Sequence, residues 1–182
     1  MRDWDRLKVR GARPADLVEI VAIYNSTVAS RQVTADTEPV TVASREAWFA
    51  AHQCAERPLW VVEDGAGLLG WLSFSSFYGR PAYAGTAEVS IYLHERARGK
   101  GLGRWLLDEA LRAAPALGLH TLLGFIFGHN RPSIALFEQA GFTTWGMLPR
   151  VAVLDGLERD LLILGCRIAE DASVGSGAVG GN

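Results

Sequence analysis

An α/β fold, a central mixed sheet with helices on both faces, is predicted by three features of this 182-residue sequence. Segments of strand and helix periodicity alternate through its second half. Residues 121–127 form a short, almost wholly apolar run, the pattern of a strand covered on both faces. Residues 59–74 hold two apolar runs separated at Asp64-Gly65, the pattern of a β-hairpin.

The elements follow in order. Residues 1–8 read as a leader and residues 7–10 as a first strand. Over residues 16–28, Leu17, Ile20, Val21, Tyr24 and Val28 recur at helical spacing with one buried face. Residues 31–40, of mixed polarity and containing Pro39, form a loop. Thr41 is placed to cap a second helix on which Trp48, Phe49 and His52 share a side. The hairpin comes next, then a loop at 77–85 rich in Gly, Pro and aromatic residues. Residues 86–94 alternate: Ala87, Val89, Ile91 and Leu93 face one way, Glu88, Ser90 and Tyr92 the other. A third helix carries Leu102, Leu106, Leu107, Ala110 and Leu111, and Pro115 and Gly118 end it. After the apolar strand, Ser133 is placed to cap a helix running to Gly141, and residues 142–148 and 157–168 supply the last strands. The order is β-α-α-β-β-β-α-β-α-β-β. One domain over residues 9–168 is expected, followed by a disordered Gly/Ser/Ala tail at 169–182.

Composition narrows the classes of function. Hydrophobic residues make up 49% and charged residues 21%, as in an ordinary globular protein. The net charge of -2 is interspersed along the chain, which argues against a nucleic-acid partner. No apolar run approaches the ~20 residues of a membrane span, and the charged N-terminus lacks a signal peptide's apolar stretch. Cys54 and Cys166 stand far apart, as reduced thiols of a cytoplasmic protein. His52, His94, His120 and His129 show no ligand spacing, so no metal site is expected.

The chemistry concentrates at Arg98-Gly99-Lys100-Gly101-Leu102-Gly103-Arg104, between a strand and a helix. Glycines let backbone approach a ligand and adopt positive φ. Loop N–H groups and a helix N-terminus form an anion site, and Arg98, Lys100 and Arg104 add positive charge. The arrangement suits a pyrophosphate. It is not a nucleotide P-loop, which needs Gly-x-x-x-x-Gly-Lys-Ser/Thr, and its glycine spacing is wrong for a dinucleotide fingerprint.

Arg98, Gly101 and Gly103 fit Arg/Gln-x-x-Gly-x-Gly/Ala, and the segment resembles the acetyl-CoA loop of the GNAT superfamily of N-acetyltransferases. Further stretches resemble its phosphinothricin and methionine sulfoximine acetyltransferase branch. They are Ile23-Tyr24-Asn25, Thr34, Glu38-Pro39, Arg45 and Trp48-Phe49; Arg80-Pro81-Ala82-Tyr83 with 86–92; and Asn130 with 133–142. The resemblance implies a mostly antiparallel mixed sheet of six to seven strands. It implies acetyl-CoA as cofactor and a homodimer with the last strands near its interface. The backbone of Ile91, Tyr92 and Leu93 would hold the pantetheine arm and the acetyl carbonyl. Gly99, Lys100, Gly101, Leu102, Gly103 and Arg104 would bind the pyrophosphate, with Asn130 and Ser133 at the pantetheine.

Glu88 matches the branch's catalytic acid. An amine arrives as ammonium and must lose a proton before it attacks a thioester, and a buried carboxylate suits that task. Phe77, Tyr78, Arg80 and Tyr83 would wall the acceptor pocket, Arg80 holding a carboxylate. The expected reaction is acetyl transfer to the amino group of a small molecule, an amino acid or analogue. The sequence departs from the branch in three places. Phe137 stands where many members carry the acid for the departing thiolate, Glu158 replaces a Trp, and Thr34-Ala35-Asp36 lacks an aromatic. Two other readings stay open: a non-catalytic acyl-CoA-binding module, which the Phe137 substitution suggests, and an acetyltransferase of peptide or protein amines.

Overall fold

A computed structural model describes residue 7 and residues 9–168. The expected leader, residue 7 apart, and the expected disordered tail lie outside the described residues. Seven strands and four helices run β1 (Val9–Gly11), α1 (Leu17–Val28), α2 (Val42–Ala51), β2 (Leu59–Asp64), β3 (Gly67–Ser76), β4 (Thr86–Leu93), α3 (Leu102–Ala113), β5 (Thr121–Phe127), α4 (Arg131–Gln139), β6 (Thr143–Leu154) and β7 (Leu157–Arg167). They form one sheet in the order β1-β2-β3-β4-β5-β7-β6. Every neighbouring pair is antiparallel except β4 and β5. The mixed, mostly antiparallel sheet of the sequence reading is the one observed. No described helix is long and apolar enough to cross a membrane.

Alternation along the strands divides the interior in two. Val62, Leu72, Phe74, Ala87 and Val89 turn to one face and pack with Leu102, Leu106, Leu107 and Ala110 of α3 and Ile134 and Phe137 of α4. Leu59, Val61 and Trp71 turn to the other and pack with Leu17, Ile20 and Val21 of α1 and Phe49 of α2. Each fully buried Leu or Phe contributes roughly 1.5–3 kcal/mol relative to exposure. Trp71 also pins α1 to the sheet: its indole N–H donates to the Ile20 carbonyl at 3.1 Å within the core.

Two local readings are corrected. Ser133 does not cap α4. Asn130 does, its side-chain oxygen accepting from the Ser133 N–H at 3.2 Å. Pro132 then falls in the first turn, where its missing N–H costs nothing. The strand begun at 142–148 extends to Leu154, because β6 and β7 continue pairing up to a turn at Asp155-Gly156.

Packing is tight beneath β5. A side chain built at Gly124 would bring its Cβ within 2.5 Å of the Phe137 ring, itself edge-to-face on Phe142 with centroids 4.9 Å apart. Gly124→Ala is expected to cost about 1–3 kcal/mol by overpacking. Urea unfolding checks this, and an unchanged midpoint would contradict it.

Candidate active site

The two central strands separate where the chemistry is expected. β4 pairs with β5 only from Thr86 to Glu88, opposite Thr121 to Leu123. β5 meanwhile stays paired with β7 along its whole length. From Val89 to Leu93 the edge of β4 that would face β5 therefore has no ladder partner. Its N–H and C=O groups border a cleft of about 50 Å³ lined by Val33, Ile91, Phe125, Ile126, Asn130 and Phe137 among others. Unpaired strand edges are templates for an extended ligand with amide groups of its own.

Below the cleft lies the glycine-rich turn. Gly99 (φ 69°) and Gly101 (φ 91°) are both left-handed. Gly101 leads into α3 with no side-chain cap. The first intrahelical bond is donated by Trp105 to the Gly101 carbonyl, so the N–H groups of Leu102, Gly103 and Arg104 are left for an anion. Gly103 is buried: a Cβ there would lie 3.3 Å from Leu136 and 3.5 Å from Leu93. Two of the basic side chains hold protein atoms. Arg98 donates to the Leu93 carbonyl at 2.9 Å and to the Ser26 hydroxyl at 2.7 Å, fastening the turn to β4 and α1. Arg104 bonds Asp108 and the Gln139 carbonyl, joining α3 to the end of α4. Lys100 is exposed in the turn. Asn130 is 4% exposed; besides capping α4 it donates to the Gln32 carbonyl at 3.0 Å.

On the α1/α2 face of the sheet, three cross-strand pairs form a floor: Trp71 opposite Tyr92, Ser73 opposite Ser90, Ser75 opposite Glu88. A cavity of about 210 Å³ stands on this floor, walled by Ile20, Val21 and Tyr24 of α1, by Val40, and by Arg45 and Trp48 of α2. Ser90 and Tyr92 line both the cavity and the cleft, so the two spaces adjoin along β4. Burial raises the Glu88 carboxyl above the ordinary carboxylate range, opposed by a long hydrogen bond from Ser90 at 3.5 Å.

The aromatic wall is polar at its rim. Tyr92 stacks on Trp71 with centroids 4.4 Å apart and leans on Tyr24 at 5.0 Å. Burial pushes the Tyr92 phenol well above its usual range, and burial followed by the bond to Asp36 raises Tyr24. The Tyr24 hydroxyl bonds Thr34 and Asp36. Arg45 donates to Asp36 at 2.7 Å and lies 4.6 Å over the Tyr24 ring. One of the five guanidinium donors is so engaged.

Phe77, Tyr78, Arg80 and Tyr83 are not among the residues lining this cavity. Phe77 packs on Tyr78, Tyr83 and, at 6.4 Å, Phe125. Tyr78 is 77% exposed, and Arg80 is exposed. Sequence reading missed Arg45, Trp48, Trp71 and the serines as site residues. Arg45, Trp48 and Ser90 were signalled only as residues shared with a resembled branch, and Trp71, Ser73 and Ser75 only as positions on a strand of the hairpin.

Comparisons with known proteins agree with this geometry. A Bacillus subtilis (strain 168) protein bearing the provisional name phosphinothricin acetyltransferase YwnH is 58% identical over 160 residues, 87% of this chain and 98% of its own. The L-methionine sulfoximine/L-methionine sulfone acetyltransferase of Pseudomonas paraeruginosa (strain DSM 24068 / PA7) is 37% identical over 157 residues, 86% of this chain and 91% of its own. A crystal structure of a GNAT superfamily phosphinothricin acetyltransferase from Sinorhizobium meliloti, in complex with AcCoA, superposes with a TM-score of 0.84 at 30% identity, covering 95% of each chain. Residues 20–142 match the Acetyltransferase (GNAT) family, and on that match, the curated relatives and the superposition this chain belongs to the GNAT family of acetyltransferases.

Proposed function

We propose that this protein transfers the acetyl group of acetyl-CoA to the α-amino group of an amino acid or amino acid analogue of the methionine sulfoximine type. The observation carrying this reading is one carboxylate and one guanidinium, Glu88 and Arg45, lining a single aromatic-walled cavity that adjoins the divided β4–β5 cleft along β4. A zwitterion matches that pair, its ammonium toward Glu88 and its carboxylate toward Arg45. The open edge of β4 at Ile91, Tyr92 and Leu93 suits the pantetheine amides and the acetyl carbonyl. Gly99 to Arg104 suit the pyrophosphate through backbone N–H groups, and Asn130 and Ser133 border the pantetheine.

In this reading Glu88 takes a proton from the ammonium, directly or through water. The freed nitrogen attacks the thioester carbonyl carbon, a C–N bond forms, the C–S bond breaks, and the sulfur departs with the bonding pair. The second amine proton passes to solvent. Phe137 is buried and apolar, so α4 offers no acid at that position. With a thiol pKa near 8.5 the thiolate is a competent leaving group unaided. Because burial raises the Glu88 carboxyl, kcat/KM is expected to climb with pH through a value above the ordinary 4.5 of a glutamate. The chain would act as a cytoplasmic homodimer: Trp145, Met147, Val151 and Val153 stand exposed on β6, at the sheet edge.

The test compares methionine sulfoximine with its decarboxylated amine in the wild type and in Arg45→Met. The variant is expected to raise KM for the amino acid about ten- to hundredfold, the loss of a charge-assisted hydrogen bond. KM for the decarboxylated amine should stay as it was. Equal effects on both compounds would remove Arg45 as the carboxylate partner.

A further inference from the structure

His52 follows the last residue of α2 and is 7% exposed, beneath the cavity and outside its lining. Its Nδ1 lies 2.8 Å from the Trp48 carbonyl oxygen. A carbonyl only accepts, so Nδ1 carries the hydrogen. In the neutral ring Nε2 then has only a lone pair to offer. Nε2 is 3.2 Å from the Ser75 hydroxyl oxygen. With the ring neutral, the Ser75 hydroxyl therefore donates to His52, and a hydroxyl has one hydrogen to give.

Ser75 lines the acceptor cavity and is the direct cross-strand partner of Glu88 on the same face of the sheet. Side chains so placed have Cβ atoms roughly 4.5–5.5 Å apart, within reach of each other. With its hydrogen committed to His52, Ser75 presents only lone pairs to the cavity. The other polar side chains lining that cavity are Ser73 and Trp71 of β3, Ser90 and Tyr92 of β4, Tyr24 of α1, and Arg45 and Trp48 of α2, the Trp71 indole N–H being spent on Ile20. Among the described residues Glu88 receives one side-chain hydrogen bond, that of Ser90.

We propose that His52 is a positioning residue: it fixes the Ser75 hydroxyl as an acceptor at the acetyl-transfer site, withholding a donor from Glu88 and giving the incoming ammonium a second acceptor beside the carboxylate. The proposal rests on the reading of Glu88 as the base, and it extends that reading to His52 and Ser75. An ammonium has three donors to place. Glu88 takes one and Ser75 another, which orients the nitrogen before its proton is removed. A Ser75 hydroxyl turned toward Glu88 would do the reverse, stabilising the charged carboxylate and weakening it as a base.

The experiment follows the Glu88 carboxyl directly, by ¹³C NMR of protein labelled at the glutamate side-chain carboxyl carbon, its resonance assigned by loss in Glu88→Gln. No turnover is required, so failure of the acetyl-transfer reading and failure of this one are separable. In His52→Phe the Ser75 hydroxyl is released, and Glu88 should half-titrate at a proton concentration on the order of ten times higher. In His52→Phe/Ser75→Ala the titration should return to its wild-type position. Ser75→Ala alone, which does not depend on His52→Phe folding, should leave the Glu88 titration in place, since Ser75 donates nothing to it. A titration unmoved in His52→Phe, or equally moved in the double variant, would overturn the proposal. So would a marked rise in Ser75→Ala.

Discussion

Glu88→Gln is expected to lower kcat/KM for the amine by about a hundred- to ten-thousandfold, the usual contribution of a positioned general base. Gln keeps the shape of the side chain and its place opposite Ser75, so the cavity volume is conserved. Acetyl-CoA affinity should be unaffected, because the proposed cofactor contacts lie on the open edge of β4 and the turn before α3. The pH profile separates a chemical role from a steric one. The wild-type acid limb, set by a carboxyl that burial has raised, should vanish in the variant. Steady-state thiol release across pH measures both quantities. A variant that retains the acid limb at reduced rate would show that some other group is the base.

The second large effect belongs to Gly101. Its φ of 91° and ψ of 0° lie in the left-handed region. An L side chain there costs roughly 1–2 kcal/mol of backbone strain, which the turn can relieve only by moving the N–H groups proposed to hold the pyrophosphate. Gly101→Ala is expected to weaken acetyl-CoA binding tenfold or more, about 1.4 kcal/mol per factor of ten, by isothermal titration calorimetry. Gly118→Ala is the control. Gly118 also has positive φ (70°), in the turn after α3, and a Cβ there meets nothing within 4 Å. It should lose stability but bind the cofactor normally. Equal losses of affinity in both would mean that the effect is global strain.

The distance between sequence and structure differs from element to element. Thr41 was legible as a cap because its helix had a clean start, and its side chain does accept from Ser44 N–H. Ser133 was misread since Asn130 is an equally good cap, and only Pro132 in the first turn decides between them. The alternation that put Glu88, Ser90 and Tyr92 on one face follows from strand geometry alone. What stands over that face does not. Tyr24, Arg45 and Trp48 come from two helices distant in the chain, and helical periodicity marked Tyr24 and Trp48 simply as buried positions.

The loop of residues 77–85 is a different case. The resemblance to the branch puts Phe77, Tyr78, Arg80 and Tyr83 at the acceptor pocket, just upstream of Glu88. The chain reverses at Tyr78 (φ 52°) and Gly79 (φ 61°), and the aromatic residues pack on one another and on Phe125, outside the cavity lining. The basic side chains of the glycine-rich turn have partners that the sequence does not name. Their charge is plain in sequence, but that Arg98 holds Ser26 and the Leu93 carbonyl is a tertiary fact.

The central claim, acetyl transfer from acetyl-CoA to the α-amino group of an amino acid held between Arg45 and Glu88, is tested most directly by incubating the wild-type protein with acetyl-CoA and methionine sulfoximine. Thiol release and the mass of the product are measured together, beside a short peptide and a polyamine. The expected result is one thiol per molecule of N-acetylated amino acid, with little turnover of peptide or polyamine. Efficient acetylation of the peptide or the polyamine while methionine sulfoximine and the common amino acids stay unmodified would contradict it.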